Sequence, residues 1–160
     1  MKTPEHPIFL ESVNYIRSII GITGRDPVQQ SIVERIIHSS GDFGLESCVK
    51  FSSMACEEAI DALTHGAKIL TDTHMAEAAI APMAKRTLNS DIQCILEMAP
   101  ASVDSTLITR SAIGMRNIWL DCQEQEKLLH APLVVIGSSP TALVSLLDLV
   151  ESGYAKPSLI

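Results

Sequence analysis

A histidine carried to the end of a helix is the first residue here whose type and setting suit it to chemistry. Leading into Arg35-Ile36-Ile37-His38-Ser39-Ser40-Gly41-Asp42, the apolar residues Ile32, Val33, Ile36 and Ile37 keep helical spacing. Ser-Ser-Gly then stops the helix, and the carboxylate of Asp42 follows four residues after the imidazole. Imidazoles titrate near neutrality, so one at the mouth of a cleft can pass a proton or grip a ligand. It can equally be a helix-end side chain favoured by the macrodipole and otherwise idle. These eight residues leave both readings open.

Two further stretches carry groups suited to an anion. Leu133-Val134-Val135-Ile136 reads as a buried strand, Gly137-Ser138-Ser139 as its turn, and Pro140 as the start of a helix. Gly137 lets a ligand approach the backbone, and Ser138, Ser139, Thr141 and the free N–H groups of the helix start can receive a carboxylate or phosphate. The turn lacks the Lys and second Gly of the common phosphate loops. An ordinary capped strand-to-helix turn is the alternative. In Thr109-Arg110-Ser111, a cation in the first turn of a helix opposes the macrodipole, which an anionic ligand explains and a neighbouring surface carboxylate explains equally. His65 and His74 flank Lys68 and Asp72 but match no metal-ligand spacing, and Cys48, Cys56, Cys94 and Cys122 form no C-x-x-C pair. We therefore expect reduced, mostly buried thiols, no metal and no cofactor.

The elements that must position these groups alternate. Leu10, Val13, Ile16 and Ile20 predict a helix from Ile8 that Gly21 ends; Asp26-Pro27 caps the next, which carries His38. Cys48 to Phe51 reads as a short strand, followed by a helix from Met54 to Thr64. Ala67 to Thr71 is the next strand, then a helix capped by Asp72 or Thr73 and broken or restarted at Pro82. Asp91 to Leu96 is a third strand, and a helix with Trp119 at the core edge starts near Thr109. After the unit at Leu133, Gly153 stops the last helix and Ser158 begins a further strand. The expected fold is α/β: a single domain, residues 1–160, with a mainly parallel sheet and helices on both faces. In such sheets ligands bind at the carboxyl ends of the strands, the rim that holds the Thr71 and Gly137 turns.

The totals narrow the class. With 160 residues, 46% hydrophobic and 19% charged, the chain can bury one proper core. A net charge of −7, without a Lys/Arg stripe, argues against nucleic acid or an anionic membrane as partner. No apolar run reaches the roughly 18 residues of a membrane span, and Met1 to Glu5 lack a signal-peptide core. The expected location is the cytoplasm.

Taken together and in order, five stretches resemble the precorrin-8X methylmutase family of cobalamin biosynthesis. They are Ile36-Ile37-His38 with Gly41-Asp42, Val49-Lys50-Phe51-Ser52, Thr71-Asp72-Thr73-His74-Met75, Thr109-Arg110-Ser111-Ala112 and Val135 to Leu143, within a match from about Ile8 to Ile160. The resemblance implies an isomerase that moves a methyl group from C11 to C12 of precorrin-8X or cobalt-precorrin-8, giving hydrogenobyrinic or cobyrinic acid. It implies that His38 handles the ring proton and that Arg110 meets a substrate carboxylate. Ser12, Ser111 and the turn holding Gly137, Ser138, Ser139 and Thr141 would line the pocket. It also implies a homodimer with the pocket near the subunit interface. Such a shift requires no nucleophile, metal or redox group from the protein; one placed proton and exclusion of water suffice. The chain departs from the pattern at Phe9 (usually Tyr), Ala79 (usually Gly) and Ser138-Ser139 (usually Asn-Ala), and it lacks the family's C-terminal segment. A non-catalytic corrinoid-binding paralogue is the alternative function, and an unrelated domain taking a phosphorylated metabolite at Gly137 to Thr141 is a third.

Overall fold

The computed structural model describes residues 6–88, 90–103, 108–124 and 130–160. Met1 to Glu5, the stretch read above for a signal-peptide core, lie outside the described residues. Two compact units make up the chain, Met1–Cys56 and Glu57–Ile160.

The first unit is a helical pair with a lid of irregular chain. Helix α1 (Pro7–Ile20) is capped by His6, whose ring Nδ1 accepts from the Ile8 N–H at 3.3 Å, and Gly21 at φ 63° ends it. Helix α2 (Pro27–Ser40) starts where Asp26 Oδ1 accepts the Val28 and Gln29 N–H groups at 2.8 and 3.0 Å. It stops at Gly41, whose left-handed φ of 72° lets its N–H return to Ile37 O. Ile16 of α1 packs on Val33 and Ile37 of α2, with Phe43, Val49 and Phe51 laid over them. The strand expected at Cys48 to Phe51 does not form: Leu45–Cys48 is a one-turn helix, α3, and the residues after it belong to no ladder. Val49 and Phe51 are strand formers by composition because they suit a half-buried surface, and here the helix pair supplies that surface.

The second unit is built on three parallel strands. They are β1 (Ile69–Thr71), β2 (Ile92–Cys94) and β3 (Leu133–Val135), in the order β2-β1-β3. A single parallel bridge from Leu133 to Leu159 begins the strand expected after Ser158. Helices are α4 (Ala55–Thr64), α5 (His74–Thr87), α6 (Arg110–Glu124) and α7 (Pro140–Glu151). Side chains alternate across the sheet, and the core divides accordingly. Leu70 and Val134 join Met115, Ile118, Trp119, Leu146 and Leu149 of α6 and α7, while Leu133 joins Ala59 and Ala62 of α4. Helices thus cover both faces, as the alternating pattern implies. Trp119 is fully buried, deeper than the core edge its surroundings in sequence suggest.

Two local expectations change, at β2 and at Pro82, and one alternative is decided, at the start of α5. β2 stops at Cys94, and Ile95–Met98 turn into a 3₁₀ helix that α6 approaches closely. Gly114 permits that approach, since a Cβ there would stand 2.3 Å from Ile95 O. Of the two caps expected, Thr73 rather than Asp72 starts α5, its Oγ1 accepting the Ala76 N–H at 3.2 Å. Pro82 lies inside α5 without ending it. The carbonyl it deprives of a donor is that of Ala78, an exposed residue that water can serve.

Candidate functional site

In the first unit the end of α2 presents His38 to solvent. Its Nδ1 lies 2.7 Å from Ser12 Oγ on α1, so Nε2 is the nitrogen left for a ligand. The ring of Phe9 meets the imidazole edge-on, centroids 4.9 Å apart at 81°, and the Arg35 guanidinium lies 4.8 Å from the Phe9 centroid. Helical spacing puts Phe9 and Ser12 on one side of α1, three residues apart. Asp42 is turned to its own loop, where its Oδ1 accepts the Gly44 N–H at 2.8 Å. A serine on an imidazole is also the pairing of nucleophilic catalysis, in which a third polar group orients the base. Here the apolar ring of Phe9 packs against the imidazole at 81°.

A groove of about 600 Å³ in the same unit is lined by the 21–25 loop, Arg17 and Glu34. Its cations are already neutralised. Arg17 grips the buried Glu34 through two hydrogen bonds of 2.7 and 2.8 Å, and Arg25 pairs with Glu46. Burial alone would raise the Glu34 carboxyl, but the bonds from Arg17 and Gln30 outweigh it and hold it below its ordinary range.

In the second unit the carboxyl rim of the sheet gathers the other candidates. Thr109 Oγ1 lies 2.7 Å from Thr141 Oγ1 and 3.1 Å from Ser111 Oγ, and Ser111 lies 3.2 Å from Thr141. These hydroxyls form a triangle where the N-termini of α6 and α7 converge. Two positive helix ends and three rotatable O–H groups suit one ligand oxyanion. Beside them runs a groove of about 400 Å³ lined also by Ile113, Arg116 and Ser145. Arg110 opens α6 and donates through Nε to Pro100 O at 2.8 Å, which steadies the guanidinium without neutralising it.

The Gly137 turn differs from expectation. Its N–H groups are not free: those of Gly137, Ser138 and Ser139 all donate to Oδ2 of Asp72, at 3.0, 2.7 and 2.8 Å. Parallel pairing of Thr71 with Val135 brings the ends of β1 and β3 side by side, so a carboxylate one residue past β1 reaches the turn past β3. Periodicity missed this contact, although an acid directly after an apolar strand was a signal. Thr109 was legible as the start of a helix but not as a member of a hydroxyl triangle.

His65 and His74 fall into separate clusters, one with Asp61 and His130, the other with Glu77 and Cys94. Cys56, Cys94 and Cys122 are buried and Cys48 is exposed, and none of the four is in a disulfide. Among the described residues no helix is long and apolar enough to cross a membrane.

These features define an α/β protein with a parallel sheet, an imidazole at a helix end and a hydroxyl cluster at the strand rim. A family profile described as precorrin-8X methylmutase matches residues 7–160. The chain is 29% identical to a cobalt-precorrin-8 methylmutase of Synechocystis sp., over 98% of this chain and 74% of that protein. It is 31% identical to a precorrin-8X methylmutase of Pseudomonas aeruginosa, over 96% and 71% respectively. The crystal structure of the precorrin-8X methylmutase from Thermus thermophilus superposes with a TM-score of 0.79 at 26% identity, covering 95% of this chain and 71% of that one. The chain belongs to the precorrin-8X methylmutase family, whose members are isomerases of cobalamin biosynthesis.

Proposed function

We propose that this chain moves a methyl group from C11 to C12 of precorrin-8X or cobalt-precorrin-8, with His38 as the catalytic group. The observation that carries this reading is the contact between His38 and Ser12 in a chain of this family. The imidazole handles one proton on the ring system as the methyl group migrates; Ser12 engages Nδ1 and so turns Nε2 toward the ligand. Substrate carboxylates are met by Arg110 and by Ser111 and Thr141 with Thr109, which supply charge and hydroxyl donors together. Gly137, Ser138 and Ser139 shape the wall behind Thr141; their backbone donors serve Asp72, leaving the exposed Ser138 hydroxyl for the ligand.

We read the protein as a cytoplasmic homodimer. Ile8, Tyr15 and Ile19 project exposed apolar surface from one side of α1, of the kind a second copy covers. Incubation with precorrin-8X, followed by visible absorbance, tests the activity. Appearance of hydrogenobyrinic acid is expected; a spectral shift with product but no conversion would instead mark a corrinoid-binding relative, and no response to either would overturn the assignment.

A further inference from the structure

A buried charge in the second unit has no part in the reaction described above. Asp72 is wholly inaccessible to solvent, yet its Oδ2 accepts three backbone N–H groups from the turn that opens α7. Hydrogen bonds to an ionised acceptor are about twice as strong as neutral ones. Burial favours the protonated acid; the N–H groups of Ser138, Ser139 and Gly137 and the Ser139 hydroxyl outweigh it and keep the carboxyl below its ordinary range. The group is therefore ionised at neutral pH. It stands where the positive end of α7 would otherwise draw an outside anion.

The clamp lies next to the hydroxyl triangle. Thr141 is two residues beyond Ser139, with only Pro140 between, so the backbone that Asp72 grips also aims the Thr141 hydroxyl at Thr109 and Ser111. Lower down, the two helices share the buried core of Met115, Ala142 and Leu146 and the Ser145 Oγ–Ala112 O bond of 3.1 Å, but the hydroxyl contacts of the triangle itself are exposed, and water can replace them. We propose that Asp72 is a positioning residue: by holding residues 137–139 from beneath, it keeps Thr141 in register with Thr109 and Ser111 to receive a carboxylate of the corrin substrate. The identity of that ligand rests on the function proposed above; the clamp itself does not.

Titration with hydrogenobyrinic acid, read by visible absorbance, tests the proposal. Asp72→Asn keeps the shape and removes the charge. We expect it to bind product at least tenfold more weakly than wild type, at a temperature where circular dichroism shows both folded, with KM raised more than kcat is lowered. Product affinity within twofold of wild type overturns the proposal, because a merely structural role would lower Tm alone. Where the variant does not fold, hydrogen exchange on the wild-type protein decides. The amides of Gly137, Ser138 and Ser139 are expected to be protected at least a hundredfold at neutral pH; open-loop exchange rates there overturn the clamp. Failure of wild-type protein to bind product overturns the functional reading and the ligand named here, an outcome distinct from equal binding by the variant.

Discussion

His38 and Asp72 are held in opposite ways. The imidazole is exposed, fixed by one hydroxyl and one aromatic edge. The carboxylate is sealed from solvent and fixed by three N–H groups. A group that must change its charge during turnover is best placed where solvent and ligand can compensate the change. A group that must hold a backbone in place is best buried in a permanent charge state, because release would leave an unpaired charge in low dielectric. The contrast separates a proton carrier from a clamp before any ligand is considered.

The sharpest way to break that contrast is His38→Ala. Conversion should fall at least about a hundredfold, the usual worth of a positioned acid or base, with product affinity within threefold and Tm nearly unchanged. Normal turnover would remove His38 from the catalytic role.

Buried carboxylates should show the reverse pattern, a large cost in stability. Arg17→Ala strips Glu34, only 2% exposed, of two of the three donors that hold it. Breaking a fully buried pair costs about 3–5 kcal/mol; because Arg17 is 56% exposed, a loss of about 2–4 kcal/mol is expected. Glu34→Gln should cost less, since the freed guanidinium returns to water. Urea unfolding of the two variants checks the order, and a larger loss in Glu34→Gln would contradict it.

Acid should act on the same groups. Asp72 and Glu34 both have carboxyls held below the ordinary range in the folded chain. The unfolded chain therefore binds more protons between the folded and unfolded values, and stability rises with pH there. It should be fully present above about pH 5 and lost as pH falls through the ordinary carboxyl range near 4 toward the lowered folded values. Unfolding free energy followed from pH 7 to pH 3 reads this, and Asp72→Asn should flatten the acid limb. A flat profile in the wild type would show the clamp to be weak.

The smallest effect is expected from Ser12→Ala. Losing the hydroxyl that holds Nδ1 should lower kcat less than about tenfold, with KM and Tm unchanged, since His38 stays on its helix. A loss as large as that of His38→Ala would make Ser12 part of the chemistry rather than its support.

Legibility in the sequence followed the range of the forces involved. Asp26-Pro27, Gly21 and Gly41 bound their helices as read, because a cap acts on N–H or C=O groups within one turn. Leu133 to Val135, the Gly137 turn and the helix at Pro140 were readable for the same reason. Val49 and Phe51 misled because strand propensity reports half-burial and not a partner strand. Pro82 misled because the cost of an interior proline depends on whether solvent reaches the freed carbonyl. At the site, His38 and Arg110 could be chosen by residue type and helix position, whereas Thr109 and Asp72 could not be given their partners.

By itself, then, the sequence determined the starts and stops of α1, α2 and α7, the buried strands β1 and β3, and the ordered motifs that place the chain in its family. Tertiary structure alone decided that Ser12 meets His38 across 26 residues, that Thr109 meets Thr141 across 32, and that Asp72 reaches Ser138 across 66. Caps and periodicity act over one turn, but these contacts depend on how two helices pack and on which parallel strands lie side by side, and neither is written in any single stretch of residues.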